Sequence, residues 1–294
     1  MKLAAFDAYV VSALFDRSGR AIFALGDGTV RFEDGAVVQA HPDAGALCAV
    51  AHPSGQGVVT GGDDGRLVWS RADGSTVVLA EAPGGRWIDA VDASPESGLI
   101  AFATGREARV VDAKDPKFLR VFPHERAVAS VALDLKGRRL ACATYGGATL
   151  WFARIESQQP TWLKWAGAHT LCAFSPDGKF LITAMQENEL HGWRLADSKT
   201  MRMGGYPAKT KSLAFVGKGL LMGSSGAQGA VVWPFRGNNG PMGENAAEIG
   251  FSEAGIVTRV AGAPNAFWLA GGTDDGRVWA AELRTTRHDA LKSE

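Results

Sequence analysis

An excess of charge of either sign is absent from this sequence. Lys and Arg together number 31, as do Asp and Glu, so the formal net charge is zero. Binding to nucleic acid needs a basic stripe that displaces counterions, and an anionic membrane surface asks for the same. Neither kind of partner is therefore expected. Cysteine is scarce: Cys48, Cys142 and Cys172 are an odd number, and each sits inside an apolar run. That makes a poor disulfide framework and suits small core residues. No apolar run reaches the ~18 residues of a membrane-crossing helix. The first fifteen residues resemble a secretion signal, but Asp7 interrupts them and no small-residue cleavage site follows. The chain is expected to be cytoplasmic. No Gly-x-Ser-x-Gly elbow, His-Glu-x-x-His or Cys-x-x-Cys occurs, and the six histidines stand apart from one another.

What the chain has is glycine and repetition. Thirty-seven glycines, 46% hydrophobic and only 21% charged residues describe a folded, turn-rich chain. Residues 169–193 show the unit most clearly. The apolar run Leu171-Cys172-Ala173-Phe174 breaks at Ser175-Pro176-Asp177-Gly178. It resumes as Phe180-Leu181-Ile182-Thr183-Ala184, breaks at Gln186-Glu187-Asn188, and ends in Leu190-His191-Gly192-Trp193. These runs are too short for helices and are bounded by turn chemistry, so they read as three antiparallel strands. Seven copies follow one another, and their third strands align at Phe32, Trp69, Val111, Trp151, Gly192, Trp233 and Ala280. The intervals are 37, 42, 40, 41, 41 and 47 residues. A period of ~40–45 residues built of strands is that of a β-propeller blade.

Six segments between the copies are candidate outer strands: 35–40, 75–80, 118–122, 161–165, 200–204 and 246–250. The longest interval contains the polar loop 236–243. Residues 284–294 offer no apolar outer strand for the last copy, whereas residues 2–6 do. The expected architecture is thus all-β: one domain over residues 1–294, a seven-bladed β-propeller of four-stranded antiparallel blades, with the N-terminal strand closing the last blade so that no edge is left unpaired.

The stretch His124-Glu125-Arg126-Ala127-Val128 resembles the Gly-His lead-in of a WD-repeat blade. Phe174 and the turn after it resemble that family's first turn, and Asp64-Gly65-Arg66-Leu67 its turn before the third strand. The chain is most similar to bacterial WD-repeat proteins, which share stretches like 185–193 and 205–210. The resemblance implies a propeller that docks other proteins without catalysing a reaction. No Trp-Asp dipeptide occurs here, and the family's His–Ser/Thr–Asp–Trp set reads as incomplete in every copy. In particular, the Asp-Gly turns of copies two and seven have no matching His. Blade closure is therefore expected to rest more on packing than on that polar set.

The aspartate pairs Asp63-Asp64 and Asp274-Asp275 invite a metal, but both lie in the same Asp-Asp-Gly turn, a favoured hairpin connection. Trp69, Trp151 and Trp233 occupy equivalent third-strand positions and read as packing anchors. One end of the blades carries a different set: Asp63, Trp87, Arg126, Tyr145, Gln186, Glu187, Tyr206, Lys209 and Lys211. Aromatic and cationic side chains among polar ones suit a docking rim. The expectation is a monomeric, non-enzymatic platform for other proteins or peptides, needing no metal or cofactor. Tyr206 and Trp87 would be the anchors and Lys209, Lys211 and Arg126 the attraction for an acidic or mixed partner. The alternative is a propeller enzyme, a metal-assisted hydrolase or lyase working in the central channel.

Overall fold

Short alternating runs can bury only one face, and pairing them in meanders leaves sheets that must stack on one another. The computed structural model describes residues 5–251, 253, 255–263, 265–285 and 291–292, and the chain folds in this way. The first sheet runs Val10–Phe15, Ala21–Leu25, Thr29–Phe32, Val37–Gln39, and the second Ala46–Ala51, Val58–Gly62, Arg66–Ser70, Thr76–Glu81. The third runs Ala90–Ala93, Leu99–Thr104, Glu107–Asp112, Asp115–Pro123. A fourth has six strands: Val128–Leu133, Arg139–Phe152, Thr161–Phe174, Phe180–Met185, Leu190–Arg194, Lys199–Met203. The fifth runs Leu213–Val216, Leu221–Ser224, Ala230–Pro234, Ala247–Ile249, and the sixth has three strands, Val257–Gly262, Trp268–Thr273, Val278–Glu282. Arg284–Thr285 and Leu291–Lys292 pair as a separate ribbon. Among the described residues no α-helix forms, only single 3-10 turns at Pro83–Gly85 and Gly217–Gly219.

The chain divides into two compact units. The first takes residues up to Thr144 together with Thr149–Trp162, and the second takes Tyr145–Ala148 and everything from Leu163 on. Each has its own apolar core. In the first, Leu99, Ala101, Val110, Phe122, Leu140 and Trp151 interlock between neighbouring sheets. In the second, Phe180, Ile182, Met203, Met222 and Trp233 do the same. Within each unit, successive meanders are arranged as the blades of a β-propeller, with their innermost strands side by side.

The count of seven four-stranded blades is wrong. Six blade sheets form, one of six strands and one of three among the described residues. The expected fourth and fifth blades share one sheet, because the backbone does not turn at Tyr145-Gly146-Gly147 or at Ala166-Gly167-Ala168. It runs on as single strands, Arg139–Phe152 and Thr161–Phe174. Glycine allows this. Gly147 sits at φ 137°, where an added Cβ would collide with the Leu163 carbonyl oxygen, so the strand's passage through this point depends on the missing side chain. We expect Gly147→Ala to lower stability by about 1–3 kcal/mol. An unchanged urea midpoint would show that the strand can pass that point another way.

Five of the six expected outer strands are found at or near their predicted positions, while 161–165 is no outer strand but the first part of Thr161–Phe174 in the interior of the six-stranded sheet. The closing role given to residues 2–6 falls largely outside the described residues. Phe6, which is described, is in no strand and packs its ring 4.9 Å from Phe23 in the first sheet. One device recurs. The innermost strand has a bulge just after its first pair at Val10/Ser12, Ala46/Cys48, Val128/Ser130, His169/Leu171 and Val257/Arg259. The six-stranded sheet keeps two of these marks, one from each copy that built it.

Candidate functional site

Buried polar side chains link strands inside the blades. In the second sheet, Thr60 Oγ1 donates to His41 Nε2 at 2.8 Å and His41 Nδ1–H donates to Asp64 at 3.1 Å. The order Thr–His–Asp is that of an activated nucleophile, but Thr60 and His41 are wholly buried, so no substrate reaches the hydroxyl. His41 is thus the histidine expected to be missing beside this Asp-Gly turn. It went unseen because the loop 42–45 separates it from the blade's first strand, Ala46–Ala51. Next, Trp151 Nε1–H donates to Thr149 Oγ1 at 3.0 Å, Thr149 Oγ1 to His124 Nε2 at 2.8 Å, and His124 Nδ1–H to the Phe122 carbonyl at 2.9 Å. In the fifth sheet a tyrosine takes the histidine's place. Trp233 Nε1–H donates to Tyr206 Oη at 2.7 Å, and Tyr206 shares a 2.6 Å hydrogen bond with Ser224 Oγ. Closure therefore uses polar chains as well as packing.

The His124 chain forms the floor of a groove of about 390 Å³ in the first unit. One wall is Val121 and Pro123 on the outer strand Asp115–Pro123, whose inward residue Phe122 is buried in the core. The opposite wall is the loop after Phe152 and the start of the next strand, with Pro160 and Trp162. Gln158 ties that loop together from within, while Arg120 donates to the Arg154 carbonyl at 3.2 Å and Arg154 pairs with Asp112 at 2.8 Å. The Gln158 amide accepts from Phe152 N at 2.8 Å and donates to the carbonyls of Phe152 and Ile155 at 2.8 and 2.7 Å. Trp151 is buried in the floor, whereas Trp162 remains 40% exposed. Leu119, Val121 and Ile155 are also exposed nearby, which enlarges the apolar surface around the groove.

The groove's charge is negative. Glu125 and Glu156 line it and no Lys or Arg does. His124 does not offset them, because burial holds its pKa below the usual value and both its ring nitrogens are engaged. Glu156 has a distant ion pair with Arg120 at 3.9 Å. Among the described residues the Glu125 carboxylate has no partner.

The residues expected on a docking rim fall in both units and do different things. Asp63 is a clamp: its Oδ1 accepts from Gly45 N at 2.8 Å, and Asp274 does the same for Ile256 N at 2.8 Å. Asp64 and Asp275 close their own turns, so both Asp-Asp-Gly motifs are structural. Trp87 is 63% exposed, and Arg126, Tyr145, Gln186, Glu187, Lys209 and Lys211 are exposed too. Tyr206 is the correction. It is only 7% exposed, its hydroxyl is committed to Trp233 and Ser224, and burial pushes its pKa up to about 12. It cannot anchor a partner without leaving the core. The loop 236–243 is folded back, with Asn239 accepting from Arg194 at 2.7 Å and Met242 packed on the core.

The groove was not anticipated. Its one visible signal was Trp162, an indole at an outward position of a predicted outer strand beside Gln158-Gln159-Pro160. Among the described residues, no group of three His, Cys, Asp or Glu side chains is placed to hold a metal ion. No helix there is long and apolar enough to cross a membrane. Fold and groove together define an all-β protein of the propeller class with a preformed side groove. No protein-family model and no curated protein matches the chain.

Proposed function

We propose that this is a WD-repeat-like, bacterial, cytoplasmic platform that docks other proteins and catalyses nothing itself. The observation that carries the reading is the groove with half-exposed Trp162, whose far wall Gln158 fixes in advance. A preformed wall spares a partner the cost of ordering a loop, and a partly exposed tryptophan lining a groove is a typical interface anchor. Exposed Trp87 offers a second anchor in the same unit, in line with the rim expected from the sequence. Lys209 and Lys211 extend the reading to acidic partners in the second unit. No observation favours the enzymatic alternative.

The test is the substitution Trp162→Ala. Because this side chain is partly solvated, its loss should leave the melting temperature within a few degrees of wild type. Truncating an anchor costs about 2 kcal/mol, or roughly thirtyfold, in partner affinity. A photo-crosslinking residue at Ser157 should capture partners with wild-type Trp162 and lose them in the variant. Equal capture in both would remove the groove from the reading.

A further inference from the structure

We infer that the groove receives the guanidinium of an arginine side chain presented by an extended segment of a partner protein. This rests on the groove being a docking site and names what docks. The chain is neutral as a whole, yet the groove is lined by two carboxylates and by no Lys or Arg, with neutral His124 in the floor. Glu125 is unpartnered among the described residues and Glu156 is held only at 3.9 Å by Arg120. A ligand that neutralises them is a cation.

The aromatic surface narrows the cation. Trp151 and Trp162 both line the groove, and indole is the ring that attracts a cation most strongly. The same fold shows the geometry on its own residues. Arg71 lies with its guanidinium carbon 3.6 Å from the Trp69 ring centroid, and Arg120 and Arg154 both sit over Phe118. The polar lining then separates arginine from other cations. Glu125, Glu156, Ser157 and Gln159 present acceptors to a ligand. A guanidinium carries five N–H donors in a planar fork that can meet a carboxylate while its face lies on an indole. A quaternary ammonium ion has no donor to offer them, and a lysine ammonium has no face to stack. Groove size agrees, since about 390 Å³ lies at the small end of ligand sites and suits one long side chain. Exposed Leu119 and Val121 on the strand Asp115–Pro123 would contact the residues on either side of the arginine.

The probes are three capped pentapeptides, Thr-Val-X-Val-Thr, in which X is arginine, its neutral isostere citrulline, or trimethyllysine. Each is titrated into the full-length protein to about 1 mM, and the indole N–H resonances of Trp162 and Trp151 are followed by NMR. The arginine peptide should shift both resonances. Citrulline and trimethyllysine should bind at least tenfold more weakly, and binding of the arginine peptide should weaken as salt rises. Glu125→Gln and Trp162→Ala should each reduce its affinity about tenfold with the spectrum otherwise unchanged. If the citrulline peptide binds within twofold of arginine, the cation inference fails while the groove survives as a peptide site. Equal binding of trimethyllysine overturns the choice of guanidinium. Should no peptide move the Trp162 resonance, both the inference and the docking groove fall.

Discussion

Taking the protein from pH 7 to pH 4 is expected to unfold the second unit before the first. His191 in the second unit is fully buried, stacked 3.8 Å from Trp165, and neither ring nitrogen has a hydrogen-bond partner. Burial, with help from His169 and Arg202 nearby, lowers its pKa to about 4. Burial lowers His169 as well, opposed in part by its bond to the Trp165 carbonyl and by Glu187. An unfolded histidine titrates near 6.5, so between about 6.5 and 4 the unfolded chain binds protons that the folded one refuses. The stability that neutral His191 confers is complete above that window and is lost as pH falls through it, a loss on the order of 2 kcal/mol.

The first unit has a counterweight. His52 is likewise lowered to about 4, by burial and then by Arg71. Asp92, desolvated although Leu133 N donates to it at 2.7 Å, is raised to about 6. Its sign is opposite: the folded state gains relative stability as Asp92 takes up a proton below about 6. His124 is lowered by burial as well and Asp89 raised by it, so His52 and His124 are matched by two desolvated carboxyls of opposite sign and the effects largely cancel. During an acid titration the indole resonances of Trp165, Trp193 and Trp233 should lose their native positions before those of Trp69 and Trp151. His191→Phe, which keeps a ring against Trp165, should flatten the pH dependence of the second unit. Simultaneous loss of both sets of resonances at one pH would refute this account.

Tyr206→Ala should destabilise the second unit by about 3 kcal/mol or more. It opens a cavity among Met203, Met222 and Trp233 and strips the Trp233 N–H of its acceptor. Tyr206→Phe keeps the volume and loses only the hydroxyl, so about 1–3 kcal/mol is expected. Lys209→Glu, on an exposed side chain three residues on, should change stability by less than about 0.5 kcal/mol. Denaturant unfolding of the three variants separates these effects. A Tyr206→Ala variant as stable as wild type would mean that the side chain is free to leave the core after all.

The meander, its period and the outer strands were legible because alternation, Asp-Gly turns and third-strand tryptophans are local signals. The blade count was not. Tyr145-Gly146-Gly147 has the composition of a turn, and only the distant Leu163 carbonyl, which leaves no room for a Cβ at Gly147, shows why a glycine stands inside a continuous strand there. Tyr206 failed for a similar reason. Its neighbours Pro207, Lys209 and Lys211 are surface residues, so the stretch reads as surface, whereas its partners Ser224 and Trp233 lie 18 and 27 positions away. His41 was overlooked across 23 residues from Asp64. The groove depends on Gln158 bonding to backbone three and six residues back, which composition does not reveal.

The bulge after the first pair of the innermost strands has a consequence for how this chain can be cut and lengthened. An extra residue reverses which face the following side chains occupy, so each such strand states its own phase at its start. A copy does not inherit alignment from the one before it. Copies that carry the bulge and stand in a sheet of their own are therefore interchangeable parts, able to be duplicated or excised between outer strand and bulge with their inward residues still inward. Removing one residue inside that short interval would turn a copy's apolar side toward water.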